Sequence, residues 1–273
     1  MPSSYTVQTN LLRRWVSHES TFLGAVSSNP SRVHVWPFLT PGGVDVVEEC
    51  PADHVIHQGL LVGHDGVNGH NFWQMLDPRY PRNRQELVEE YVETDERGAQ
   101  FRLVIDWKIE SGEAILREER SVGFIRHSDC HDAFIRSTLI AAFGPVHFEQ
   151  TKEGGIGMRV HPLLSAHFGG RIRDSEGRTG ESEIFDNTAR WIEVSGSVAG
   201  REAGILMAPA NDEEPIPWFV RDYGIHMHSP RRHAPLHLEA GQSTSNAVRF
   251  LAHDGILEVP ELEAMLQRVQ STL

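Results

Sequence analysis

The segment from residue 53 to residue 73, DHVIHQGLLVGHDGVNGHNFW, carries the side chains best suited to chemistry. Four of them are histidines: His54, His57, His64 and His70. Imidazole binds metal ions and moves protons near neutral pH. The interspersed glycines permit sharp turns and a close approach of the backbone to a ligand. We interpret the segment as a site; the alternative is a polar turn region whose histidines are incidental.

The histidine spacing leaves two chemical roles open. His54 and His57 are three residues apart, and in a loop both rings can converge on one metal ion. Proton transfer or hydrogen bonding by His57, His64 and His70 is the other role. Sequence alone does not choose between them.

A second candidate region is WFVRDYGIHMHSP, residues 218–230. On a regular strand, Asp222, His226 and His228 would share one face, because alternate side chains point the same way. Such a row predicts an acid, a base or metal ligands. The alternative is a solvent-facing strand edge with satisfied polar groups.

A third region, GESEIFDNTARW at residues 180–191, offers Glu183 as a catalytic carboxylate, although acidic loops of this kind are often only solvated. Polar and aromatic side chains in the three regions are candidates for substrate binding: Asn68, Trp73, Trp191, Trp218, Arg221 and Tyr223. The candidate ligands of a divalent metal ion are His54, His57, His226 and His228. No P-loop or G-x-G-x-x-G motif appears, so no nucleotide cofactor is expected. No G-x-S-x-G motif appears either, so nucleophilic serine chemistry has no specific support.

Composition narrows the class of protein. The 273 residues carry a formal net charge of −13, which argues against nucleic-acid binding because that requires a basic surface. No apolar stretch approaches the length needed to cross a bilayer, and Arg13-Arg14 is not followed by the apolar run of an export signal. Two cysteines are too few for a disulfide framework. We expect a cytoplasmic protein, with homo-oligomerisation left open.

The dominant hydrophobic period is two, which predicts a mainly β protein. In Gln100–Trp107, apolar residues alternate from Phe101 to Trp107 and predict a strand. Further predicted strands are 33–39, 114–125, 133–143, 146–150, 191–195, 203–208 and 247–252. Turn residues separate them, as in a large β-sandwich or barrel.

Helix is predicted at few places. Pro260–Leu273 has an apolar face at helical spacing and a proline suited to a first turn. Gln8–His18 is a weaker helix candidate. With no repeat or linker in the sequence, we expect residues 1–273 to form one domain.

Several motifs together resemble a family of bacterial proteins labelled methane oxygenase PmoA-like. They are PFLTPGG at 37–43, DHVIHQGL at 53–60, VNGHNFW at 67–73, LREERS at 116–121, TKEGGIGMRV at 151–160, Trp191, WFVRDYG at 218–224 and HDG at 253–255. The resemblance spans about residues 33–255. It implies a supersandwich of galactose-mutarotase type and a carbohydrate-associated role. One departure is Ile56-His57-Gln58-Gly59, where many relatives have H-H-R-G.

We therefore expect an enzyme that acts on a sugar, glycoside or similar polyhydroxylated molecule by acid–base chemistry of histidine and carboxylate groups. An epimerase, lyase or hydrolase would each fit, with or without a metal ion. The alternatives are a histidine-ligated metalloenzyme acting on another metabolite and a carbohydrate-binding protein without catalysis. All of the catalytic hypotheses require the two histidine regions to meet in space.

Overall fold

The computed structural model describes residues 4–210 and 216–270, and its backbone is mainly β-strand. In chain order the strands and α-helices are β1 (Tyr5–Asn10), β2 (Arg13–His18), β3 (Thr21–Ser28), β4 (Val33–Phe38), β5 (Leu60–Val67), β6 (His70–Asn71), β7 (Arg84–Thr94), β8 (Ala99–Lys108), β9 (Ala114–Arg126), β10 (Cys130–Ile140), β11 (Val146–Phe148), β12 (Gly154–Arg159), β13 (Arg171–Asp174), α1 (Glu181–Ile184), β14 (Ile192–Val198), β15 (Arg201–Pro209), β16 (Trp218–Val220), β17 (Ile225–His228), β18 (Leu236–Leu238), β19 (Ser243–Asp254) and α2 (Val259–Gln270). Two 3-10 turns, Pro162–Leu164 and Ala166–Phe168, precede β13.

Within these described ranges the strands form two antiparallel sheets, of eleven and eight strands. The first sheet runs β1-β2-β3-β4-β5-β12-β17-β16, with β6 and β11 paired to β5 and β18 paired to β11. The second runs β13-β14-β15-β19-β10-β9-β8-β7. The mainly β sandwich predicted from the sequence is confirmed.

Alternating side chains build the core between the sheets. In β8, Phe101 and Trp107 are fully buried and belong to the main apolar cluster. Phe38 of the first sheet lies 6.4 Å from Phe124 of the second, measured between ring centroids. The other predicted strand segments also lie in strands, with ends displaced by a few residues.

The C-terminal helix is confirmed as α2, for which Leu262 and Met265 are buried against the outer face of the second sheet. Residues 271–273 of that prediction lie outside the described part of the chain. The prediction of a helix at Gln8–His18 is wrong: Leu11 takes a left-handed backbone conformation and the segment forms the β1–β2 hairpin. No helix in the described ranges is both long and apolar enough to span a bilayer.

A buried ion pair within β9 of the second sheet, Glu118 with Arg120, also makes contact with the first sheet. The Glu118 carboxylate accepts hydrogen bonds from Trp107 Nε1 at 2.9 Å, from Ser137 Oγ at 2.6 Å and from Arg120 Nε at 2.7 Å. Arg120 also donates to the backbone oxygen of Val33 in the opposite sheet. Both charged side chains are essentially inaccessible to solvent. Removing one partner would leave an uncompensated charge in the core.

We therefore expect Glu118→Ala to lower the free energy of unfolding by about 3–5 kcal/mol, because Arg120 would lose its counter-ion in a dry environment. Urea unfolding at pH 7.5 measures the change. The matched control is Glu119→Ala, the exposed neighbour on the same strand, which should stay within about 0.5 kcal/mol of the wild type. Equal losses of unfolding free energy in the two variants would contradict a stabilising role for the buried Glu118–Arg120 pair.

Candidate functional site

A cleft of about 510 Å³ opens on the outer face of the first sheet, on the side away from the second sheet. We call it the cleft, and its lining is polar and aromatic. The lining residues are Ala52, Asp53, His54, Val55, Ile56, His57, Trp73, Gln74, Asp77, Pro78, Arg79, Glu153, Phe219 and Tyr223. Its size is within the usual range for small-molecule sites.

The loop that carries His54 and His57 is shaped by short-range backbone hydrogen bonds. The N–H of His54 donates to the oxygen of Pro51 at 3.1 Å, and the N–H of His57 donates to the oxygen of His54 at 3.0 Å. Gly59 closes the loop with a φ of +51°, and a Cβ there would lie 2.0 Å from a backbone oxygen of β4. Glycine is therefore required at this position.

The aromatic wall formed by Trp73 is fixed by two side chains beneath it. The Asn71 side-chain oxygen accepts the backbone N–H of Trp73 at 2.8 Å and that of Gln74 at 2.7 Å. Arg32, only 1% exposed, donates to the backbone oxygens of Ile56 and Trp73. Arg32 thus links the two loops that form the cleft.

Tyr223 reaches the cleft from a tight turn between β16 and β17. Gly224 has a φ of +103°, and its N–H donates to the oxygen of Arg221 at 2.9 Å. The turn replaces the regular strand that the sequence pattern predicts at Asp222 and Gly224, and β17 begins only at Ile225. Burial raises the pKa of Tyr223 to about 12, so its hydroxyl keeps its proton at neutral pH.

Arg159 is the buried cation under the cleft. Its NH2 group lies 2.8 and 2.9 Å from the two carboxylate oxygens of Asp53, and its guanidinium lies 5.3 Å from the centre of the Tyr223 ring. Burial alone would raise the pKa of Asp53, but hydrogen bonds from Arg159 and His54 outweigh it and lower that pKa to about 2. Asp53 is therefore a fixed anion.

His54 is held between that anion and an aromatic ring. Its Nδ1 lies 3.0 Å from Asp53 Oδ2, and its ring stacks on Tyr223 at 4.6 Å between centroids, with 6° between the planes. When Nδ1 donates to the carboxylate, Nε2 is left as the atom that can accept or deliver a proton. The side chain is 40% exposed, so this nitrogen is accessible to a ligand in the cleft.

His57 is more deeply placed and stays neutral. Its Nδ1 lies 3.4 Å from Arg159 NH1. Burial, and then the positive charge of Arg159, lower the pKa of His57 to about 2. The edge of its ring contacts Trp73, with 5.5 Å between centroids.

Glu153 supplies another carboxyl group to the cleft, which unlike that of Asp53 is not held in an ion pair with any described residue. It lies just before β12 and lines the cleft, and its carboxyl oxygens have no hydrogen-bond or ion-pair partner among the described residues. Burial raises the pKa of Glu153 above its ordinary value, and its charge interacts with those of His54 and Tyr223. A carboxyl group with a raised pKa in a cleft suits general acid–base catalysis.

The geometry does not favour a metal centre. The rings of His54 and His57 are stacked on each other, with 5.0 Å between their centroids and 8° between their planes. Across the described ranges, no group of three or more His, Cys, Asp or Glu side chains is arranged to hold an ion. The expected ligand set of His54, His57, His226 and His228 therefore has no support from the arrangement of these side chains.

The sequence of residues 13–267 matches that of DUF6807, a protein family of unknown function. The chain belongs to this family. A comparison with curated protein sequences found no match. The methane oxygenase PmoA-like label suggested by the sequence motifs is not supported, since this DUF6807 match carries no assigned activity.

Solved structures of sugar-acting enzymes resemble this DUF6807 chain in general outline. A heparan sulfate lyase HepC mutant from Pedobacter heparinus aligns with a TM-score of 0.47 at 8% identity, over 94% of this chain but only 38% of the lyase. A galactose mutarotase related enzyme from Lactobacillus acidophilus gives 0.35 at 10% identity, over 91% and 97% of the two chains. A 4-alpha-glucanotransferase from Thermococcus litoralis gives 0.36 at 9% identity, over 92% and 39%. Structural similarity this distant does not indicate the function of the cleft.

Of the predicted site residues, the structure brings four together in the cleft: His54, His57, Trp73 and Tyr223. His226 and His228 are not among them. They lie on the inner face of β17, whereas Met227, between them, packs on the outer face with Trp73. The loop with His54 and His57 and the strand with His226 and His228 therefore lie on opposite faces of the first sheet, and these side chains do not converge on one site.

His64, His228 and Trp218 also face inward. His64 has no partner for either ring nitrogen among the described residues and packs edge-on against Phe148. His228 Nδ1 lies 3.1 Å from Asn246 Oδ1, and Trp218 Nε1 donates to a backbone oxygen at 3.0 Å. These groups belong to the core.

The remaining predicted residues lie outside the cleft, and most of them make structural hydrogen bonds or ion pairs. Asp222 and Arg221 contact Glu181 of α1, through a backbone hydrogen bond and an ion pair of 2.5 Å respectively. Glu183 accepts a hydrogen bond from the N–H of Thr179. Three others lie apart from the cleft: Asn68 in a turn bonded to β11, Trp191 bonded to Glu263 of α2, and His70 in β6.

Sequence reasoning missed Glu153, which lines the cleft, and Arg159, which lies beneath it. Both lie in TKEGGIGMRV, a segment noticed only as a family landmark. The signal available was modest: a carboxylate and an arginine at the two ends of a short glycine-rich strand. Their pairing with residues 53–57 depends on β12 lying beside β5.

The inward histidines predict a pH dependence of stability. Burial lowers the pKa of His226 to about 3 and that of His228 to about 4. Below about pH 6.5 the unfolded chain binds protons that the folded protein does not. The free energy of unfolding therefore decreases as the pH is lowered. Between pH 7.5 and pH 5.5 we expect each of these histidines to contribute a loss of about 1.4 kcal/mol.

Urea unfolding at the two pH values tests this, because His226→Leu should remove about 1.4 kcal/mol of the wild-type loss. His147→Leu is the control, since His147 is exposed in the folded protein. An unchanged pH dependence in His226→Leu would show that His226 is protonated within the fold.

Proposed function

We propose that the protein is an enzyme that transfers protons on a sugar or a similar polyhydroxylated small molecule bound in the cleft. The observation that carries the proposal is the Glu153 carboxyl group. It is unpaired among the described residues, has a raised pKa, and shares the cleft with His54 and Tyr223. A half-buried carboxyl group with no partner costs stability, and groups with perturbed pKa values concentrate at catalytic sites.

The lining of the cleft supports a polyhydroxylated ligand. Trp73, Phe219 and Tyr223 offer aromatic surface for the apolar face of a sugar ring, and Asp53, His54 and Gln74 add donors and acceptors for hydroxyl groups. A lining that combines aromatic surface with several polar groups suits a ligand that has both apolar faces and hydroxyl groups.

Two groups of the cleft, Glu153 and His54, divide the acid–base work. The Glu153 carboxyl group, whose pKa burial raises above its ordinary value, serves as proton acceptor and donor. His54 is the second group, since Asp53 orients its ring and leaves Nε2 free. Arg159 fixes Asp53 and so holds His54 in this orientation.

Proton NMR of the protein in D₂O with a panel of aldoses, ketoses and uronates tests the proposal. Anomer exchange, loss of a carbon-bound proton signal and a new vinyl proton would report mutarotation, epimerisation and elimination respectively. Glu153→Gln should lower the turnover found by about 100-fold or more, because the amide cannot take up a proton.

Glu149→Gln is the matched control, since Glu149 is exposed and outside the cleft lining. We expect its turnover to equal that of the wild type. Binding of panel members with no turnover, together with equal affinity in Glu153→Gln, would instead indicate a carbohydrate-binding protein.

A further inference from the structure

His57 presents only one of its two ring nitrogens to the cleft. Nδ1 is directed at Arg159, whose NH1 lies 3.4 Å away. Nε2 has no hydrogen-bond partner among the described residues, yet it is not one of the fully enclosed polar atoms. Because the ring lines the cleft, Nε2 is the atom that a ligand there would meet.

The contact with Arg159 decides which nitrogen carries the proton. A guanidinium group only donates hydrogen bonds, so the His57 Nδ1 facing it must accept. In a neutral imidazole the proton then belongs to Nε2. A second proton on Nδ1 would point at the guanidinium and add a buried cation beside Arg159 and Arg32. The surroundings thus hold His57 neutral, with N–H directed to the cleft.

We infer that His57 is a neutral hydrogen-bond donor whose Nε2–H binds the substrate oxygen on which negative charge develops when Glu153 removes a proton. That oxygen is a carbonyl oxygen, and the substrate is a sugar-like carbonyl compound. This inference rests on the proposed function, because it assigns a partner to the proton transfer at Glu153. It also separates the two cleft histidines: His54 has a nitrogen free to exchange protons, whereas His57 keeps its proton.

The chemistry balances without a further reactant. The Glu153 carboxylate removes a proton from the carbon beside the carbonyl, and the electron pair of that C–H bond moves to the carbonyl oxygen. The resulting enediolate is stabilised by the hydrogen bond from His57, which retains its proton. Return of the proton from Glu153 to carbon completes the exchange. Donors placed where negative charge develops are a major source of catalysis.

Long-range ¹H–¹⁵N NMR of the histidine rings tests the tautomer without any substrate, with His57→Gln used to assign the signal. We expect a protonated Nε2 and an unprotonated Nδ1 from about pH 8 to about pH 5. Arg159→Met should allow both tautomers, because the donor to Nδ1 is gone. Arg136→Gln, a charge-matched change in the second sheet, should leave the signal unchanged. A cationic ring or an Nδ1–H tautomer in the wild type would overturn the inference but not the role of Glu153.

Erythronohydroxamate, a four-carbon hydroxamate that mimics a sugar enediolate, tests the donor role. Its addition should move the His57 Nε2–H proton signal downfield. Replacing His57 by phenylalanine should weaken its binding by about 10- to 100-fold, and His57→Gln, which keeps an N–H donor, by less. No shift of the Nε2–H signal in the wild type would overturn the inference, even if Glu153→Gln has abolished turnover in the sugar panel.

Discussion

The contact between Arg159 and the loop above it is the interaction on which the cleft depends. A guanidinium group buried in a sheet needs acceptors, and Asp53 supplies two oxygens at 2.8 and 2.9 Å. That ion pair sets the position of the loop, keeps Asp53 ionised, and so orients His54. The same cation excludes a proton from His57 Nδ1. One strand residue therefore keeps Asp53 ionised and disfavours the cationic form of His57.

The first sheet separates two environments with the same residue types. Histidines on its inner face, such as His226, are enclosed by the core and stay neutral for structural reasons. His54, on the loop above the outer face, remains accessible and has a charged neighbour. A histidine count alone therefore says little about chemistry here. The side of the sheet decides whether an imidazole is a core residue or a functional group.

Strands and the C-terminal helix were predictable because period-two and helical apolar patterns are local. The histidine loop was also recognisable, since His54, His57 and glycines are concentrated there. The inward direction of His226 was not, because alternation pairs residues on a face without saying which face is buried. Glu153 and Arg159 escaped notice for another reason. They lie about 100 residues beyond the loop, and only the pairing of β12 with β5 brings them under it.

The electrostatics of the cleft leave Glu153 as the acid–base group least committed to the scaffold. Asp53 is held as an anion by Arg159 and His54, with a pKa of about 2. Burial keeps the Tyr223 hydroxyl protonated, with a pKa of about 12. Glu153 instead has its pKa raised by burial and no ion-pair partner among the described residues. A ligand that enters the cleft thus meets fixed charges and donors, together with one carboxyl group that no ion pair holds.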